Sequence, residues 1–69
     1  MKIEWVEGFE ICVTVDAGEA LISANREGLL SLAKQLAALA EAPPGSHIHY
    51  DSDSSLEDGS AAMIVEKMG

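Results

Sequence analysis

Apolar residues fall at every second position over the first part of the chain: Ile3 and Trp5, then Phe9, Ile11, Val13 and Val15, with Glu4, Glu10, Cys12 and Thr14 between them. Successive side chains of a strand point to opposite faces, so this alternation predicts half-buried extended chain. Gly8 breaks the phase and predicts a bulge or bend. Asp16-Ala17-Gly18 reads as a hairpin turn in which Gly18 is free to take a positive φ. Ala20, Ile22 and Ala24 then carry the returning strand. Beyond them the period changes: Leu29, Leu32, Leu36 and Leu39 are spaced three, four and three apart and are widened by Ala33 and Ala40 into one apolar stripe. That is the pattern of an amphipathic helix, with Ser31, Lys34, Gln35 and Ala38 mostly on its other side and Leu36 expected to be fully buried. Asn25 is a good N-cap and Glu27 suits the positive end of the helix dipole. The helix runs to about Ala42, where Pro43-Pro44-Gly45 stops it.

Ser46 to Asp51 predicts a third strand, with Ile48 and Tyr50 on one face and His47 and His49 on the other. Residues 52–60 form a polar loop around Leu56. Ala61 to Lys67 predicts the last strand, Met63 and Val65 opposite Ile64 and Glu66. The expected fold class is α+β: a single domain, residues 1–69, with a four-stranded, mainly antiparallel sheet in ββαββ order and one amphipathic helix covering one face. The second face then bears Glu10, Cys12, Thr14, Leu21, Ser23, His47, His49, Ile64 and Glu66. Such a face is either solvated or a surface for a partner or a second copy, because Leu21 and Ile64 lie on it.

Composition narrows the function classes. Twelve acids against four bases give a formal net charge of -8. That field repels nucleic acid and anionic membranes and attracts basic proteins, or serves solubility alone. No apolar run approaches the roughly 20 residues of a membrane span, and the acid-interrupted N-terminus has no signal-peptide core. The single cysteine forms no internal disulfide and fits a reducing compartment. A cytoplasmic protein is expected.

Three runs invite a chemical reading. His47-x-His49-x-Asp51-x-Asp53 sets imidazoles and carboxylates on alternate positions, ligand types that suit zinc. Alternate strand residues lie roughly 7 Å apart, from a rise of about 3.4 Å per residue, which is too far for one ion without a bend. Asp51-x-Asp53-x-Ser55 begins like a calcium loop, but Leu56 and Ala62 stand where glycine and glutamate belong. Cys12 beside a histidine would be a nucleophile only with an oriented base and a pocket, and a small domain with one helix offers little concavity. Phosphate-binding glycine motifs are missing. The expectation is a protein without metal, cofactor or catalytic residues, and not an enzyme.

Three segments carry a resemblance: Asn25-Arg-Glu-Gly-Leu-Leu-Ser-Leu-Ala-Lys-Gln-Leu, Gly45-Ser-His-Ile-His-Tyr-Asp and Ser55-Leu-Glu-Asp-Gly-Ser. Together, over about residues 20–66, they resemble the Imm32-type immunity proteins of bacterial polymorphic toxin systems, or a closely similar family of small bacterial proteins. The His-x-His strand after a long helix is the most specific element. The resemblance implies a non-enzymatic protein that binds and neutralises a cognate toxin, and it transfers no catalytic residue. The acids concentrate at Asp51, Asp53, Glu57 and Asp58, with Leu56 among them. These residues, with His47 and His49 next to them, form the expected contact surface for a basic toxin domain. In that reading Leu56 is an apolar anchor; in its alternative it plugs the core. The alternative function is a small homodimeric structural or regulatory protein that uses the open sheet face.

Overall fold

Two residues, Ala17 and Gly18, reverse the chain between β1 (Ile11–Asp16) and β2 (Glu19–Ala24). Both take left-handed backbone, with φ of 50° and 82°, as a type I′ turn requires to match the twist of the strands it joins. The computed structural model describes residues 1–69. From β2 the chain passes at once into the helix α1 (Arg26–Ala40), and β3 (His47–Tyr50) and β4 (Met63–Glu66) come after it. Each strand pair is antiparallel, in the registers Val13↔Ile22 and His49↔Ile64.

Asn25 caps the helix as its residue type predicts. Its Oδ1 accepts from Gly28 N at 2.7 Å and from Glu10 N at 3.0 Å, and its Nδ2 donates to Gly8 O at 2.9 Å. One side chain thus satisfies an orphan helix donor and ties the approach to β1 against the helix start. The contact is close. A Cβ on Gly28 would stand 2.5 Å from Glu10 O and 2.9 Å from the Ile11 side chain, so only glycine fits there. At the other end, Lys67 Nζ donates to Ala40 O and Ala42 O at 2.7 and 2.8 Å. A cation there satisfies terminal carbonyls and opposes the negative end of the dipole.

The buried face of α1 is not the four-leucine stripe. Gly28, Ser31, Leu32, Gln35 and Leu39 point inward, whereas Leu29 is exposed and Leu36 is 43% exposed. The expectation that Leu36 is a core residue is therefore corrected, as is the placing of Ser31 and Gln35 on the outer side. The reason lies in the N-terminal segment. Residues 1–10 form no strand; they turn at Gly8 (φ 88°) and run along the helix, where no neighbouring strand meets their backbone. Ser31 Oγ accepts from Val6 N at 2.8 Å and donates to Glu27 O at 2.8 Å, and Gln35 Nε2 donates to Glu4 O at 2.8 Å. Buried backbone groups need partners, and two polar helix residues supply them. Trp5 then stacks on Phe9 with ring centroids 4.4 Å apart and meets Tyr50 edge-on at 6.4 Å.

The expected four-stranded sheet is likewise corrected: β1-β2 and β3-β4 are two separate two-stranded sheets. Between them runs the segment that leads into β4, and it is turned rather than extended. Only Glu57 N→Ile11 O (2.9 Å) and Ala61 N→Val13 O (2.8 Å) join it to β1, while the N–H of Val13 goes to Ser60 Oγ at 3.1 Å. A hydroxyl replaces a rung of the ladder, and the sheet stops at that seam. The core spans it. Ile11, Val13, Leu32, Leu39, Ile48, Tyr50 and Leu56 pack as one cluster. Tyr50 is fully buried, and its hydroxyl donates to Gln35 Oε1 at 2.7 Å.

This packing makes two tests possible. Leu39→Ala should destabilise the domain by about 2–5 kcal/mol, the range for a buried leucine, and Leu36→Ala by less than about 1 kcal/mol. Chemical denaturation of both variants checks the helix phase, and equal losses would contradict it. Burial pushes the Tyr50 phenol above its ordinary pKa. The neutral phenol's contribution is therefore complete below the usual tyrosine range near pH ~10 and is lost as pH rises through the raised value. Thermal melts of wild type and Tyr50→Phe should converge on that alkaline limb. The variant should be less stable at neutral pH by about 1–3 kcal/mol, the cost of an orphaned buried acceptor.

Candidate functional site

Asp51 stands just past the end of β3 and organises the loop between β3 and β4. Its carbonyl accepts from Ser54 N, Ser55 N and Leu56 N at 3.3, 3.0 and 2.8 Å. Its carboxylate Oδ1 accepts from Asp53 N at 3.1 Å and Ser54 Oγ at 3.0 Å. An aspartate that bonds its own backbone two residues on is the Asx device that tightens turns. Farther along the loop, Leu56 inserts into the core and is only 6% exposed. Glu57 N and Ala61 N then dock on β1. The loop is held at Asp51, at Leu56 and along the β1 edge.

The consequence for the expected contact residues is specific. Asp53, Glu57 and Asp58 are exposed, and Asp51 is half-buried. The one ion pair in the molecule, Arg26–Glu27 at 3.5 Å, involves none of them. The loop therefore presents unpaired carboxylates on a fixed backbone. Leu56 faces the core and takes the plug position, so it offers no apolar anchor on the loop surface. Asp51 and Ser60 matter more than their residue types suggested. Ser60 Oγ accepts from Val13 N and lies 3.6 Å from Cys12 Sγ, toward which it donates. The Asp-x-Asp-Ser run was the available signal for the Asx turn; nothing in the pattern marked Ser60.

His47 and His49 project from the outer face of β3, both exposed. Their ring centroids are 4.9 Å apart with planes at 72°, so the rings lean together more closely than the strand spacing implies. His47 Nδ1 lies 3.1 Å from Gly45 O, a contact that needs the proton on Nδ1. No group of three or more His, Cys, Asp or Glu side chains converges anywhere in the structure. Two open depressions exist, of about 620 and 200 Å³. His47 lines the first and Cys12 the second, so thiol and imidazole do not share a cleft. Ile64 and Glu66 pair across from His49 and His47 and extend the outer face beside them.

The arrangement defines a small α+β domain whose distinctive chemistry is on its surface: a braced acidic loop next to a histidine-bearing hairpin. Residues 19–68 match the family model Imm32, described as Immunity protein 32. The match takes in β2, α1, β3, the loop and β4, well over half of the chain, and the chain belongs to this immunity-protein family. No curated protein and no solved structure matches it. No helix is long and apolar enough to cross a membrane.

The bracing of the loop has a direct test. Asp51→Ala removes two acceptor bonds and should cost roughly 0.5–1.5 kcal/mol for each. The amides of Asp53 to Leu56 should exchange with solvent faster in the variant than in wild type, while those of α1 change less. Unaltered exchange in the loop would show that the Asp51 carboxylate does not brace it and that the Asp51 carbonyl, Leu56 and the β1 contacts suffice.

Proposed function

We propose that this domain is a non-enzymatic binding module that neutralises a cognate toxin, and that its contact surface is the acidic loop, Asp51, Asp53, Glu57 and Asp58, with His47 and His49 at its margin. Membership of the immunity-protein family supports the class of function. The observation that carries the site is the combination of exposed, unpaired carboxylates with a backbone fixed by Asp51, Leu56 and β1. A loop already ordered loses little conformational freedom on binding. Its charges act on encounter with a basic partner more than on the lifetime of the complex. The charge of -8 on 69 residues extends the same field over the whole domain. The apolar part of the contact comes from exposed residues beside the loop, Ile64 among them, and not from Leu56. The toxin is a basic protein domain, and the domain acts without metal or cofactor in the cytoplasm of the cell that makes it.

The test is kinetic. With the cognate toxin domain as partner, the double variant Asp53→Lys, Asp58→Lys should associate about tenfold or more slowly at low ionic strength. Its association rate should also lose most of its salt dependence, with a smaller change in dissociation. Wild-type association and salt dependence in the double variant would remove the loop from the contact and leave the histidine face of β3-β4 in its place.

A further inference from the structure

The β1-β2 hairpin extends beyond what covers it. Ile11 and Val13 are buried, yet Val15 and Ile22, on the same face, are 63% and 45% exposed, and Leu21 on the opposite face is 61% exposed. The molecule as a whole is open for its size. It exposes 4695 Å², where a compact monomer of 7.3 kDa exposes about 4,200 Å². Its radius of gyration is 12.1 Å, where about 11 Å is expected for 69 residues.

The hydrogen-bond parity of the hairpin shows where this surplus is most consequential. The carbonyls of Ile11 and Val13 accept from Glu57 N and Ala61 N, on the side of β1 away from β2. Their pairs with Ala24 and Ile22 are therefore the non-hydrogen-bonded ones. On β2, Ala20, Ile22 and Ala24 accordingly turn their N–H and C=O groups outward, to an edge that no other strand occupies. From Ala20 to Ala24 that edge has no charge, no proline and no bulge, the devices by which exposed edges are normally blunted.

We infer that the free edge of β2 pairs antiparallel with β2 of a second copy of this chain, across a two-fold axis at Ile22, to make a continuous four-stranded sheet β1-β2-β2-β1. The edge is its own mate. With Ile22 opposite the second copy's Ile22, Ala20 falls opposite Ala24 and Ala24 opposite Ala20, so every outward residue meets an outward residue in a hydrogen-bonded pair. An isologous contact of this kind closes on itself and stops at two copies. Charge supports a second copy over an unrelated strand. In this register Glu19 of each copy lies opposite Asn25 of the other, beside Arg26. Arg26 stands at the N-terminus of α1, where the helix dipole disfavours a cation. Its side chain is 77% exposed, with only a 3.5 Å contact to Glu27. A carboxylate from the second copy gives it a partner beyond its own long contact to Glu27. The acidic loop docks on the opposite edge of β1, so the pairing leaves that loop free on both copies and does not depend on its role.

Sedimentation over the micromolar range tests the pairing. Wild type should shift from 7.3 kDa to twice that mass as concentration rises, and Ile22→Lys should remain a monomer with an unchanged circular-dichroism spectrum. Cysteine trapping covers the case in which Ile22→Lys does not fold. Hydrogen-bonded antiparallel pairs have Cα atoms about 5.5 Å apart, within the roughly 4.4–6.8 Å that a disulfide spans. In a Cys12→Ser background, Ile22→Cys should form a covalent dimer on mild oxidation, and Ile64→Cys should not. Two results would overturn the proposal: a wild-type monomer at every concentration, or trapping through Ile64→Cys without Ile22→Cys.

Discussion

Gln35 is the residue on which the rest of the structure turns. Its amide is buried inside the core, receives the Tyr50 hydroxyl at 2.7 Å and donates to Glu4 O at 2.8 Å. One side chain thereby joins the helix, the third strand and the N-terminal segment. A buried polar group is costly unless satisfied, and this one is satisfied at both ends, so it specifies the arrangement instead of weakening it. Ser31, one turn earlier, binds Val6 N by the same logic. Together they fix the rotation of α1 about its axis, which sends Leu32 and Leu39 inward and leaves Leu29 and Leu36 on the flank.

That rotation separates the legible features of the chain from the illegible ones. The turn at Ala17-Gly18, the Asn25 cap, the proline stop and the inward placing of Ile48 and Tyr50 each rest on local chemistry, and each stands in the structure. The helix phase did not follow from its leucines, because Ser31 and Gln35 face inward for partners remote in sequence, at Val6, Glu4 and Tyr50. The period-two run at Ile3 and Trp5 suggested strand for a related reason: alternation reports which side chains share a face, not whether a neighbouring strand exists to pair with. The division into two sheets was equally out of reach, since it depends on a serine hydroxyl, Ser60, taking the place of a backbone rung on Val13.

The same seam shapes the candidate site. A regular strand from Glu57 onward would have extended the sheet and carried alternate side chains to opposite faces. The turned segment instead keeps Glu57 and Asp58 outside while Leu56 seals the core beneath them. The acids were legible in the chain as a local excess of charge; the Asx turn at Asp51 was not, because the Asp51-x-Asp53-x-Ser55 run invited comparison with a calcium loop instead. The bracing that makes them a fixed surface was not, because it needs the contacts to Ile11 and Val13. Leu56 illustrates the difference: a leucine among acids reads equally as an anchor or a plug, and only packing distinguishes the two.

An ordered acidic loop, and not the helix or the first hairpin, is the surface proposed to meet the toxin. Amide hydrogen exchange of this protein, alone and in complex with the toxin domain proposed as its partner, measures that most directly. Added protection is expected from Asp51 to Ser60 and at His47 to His49, with little change along the outer flank of α1 around Leu29 and Leu36. Protection confined to that flank or to β2, with the loop unchanged, would contradict the proposal.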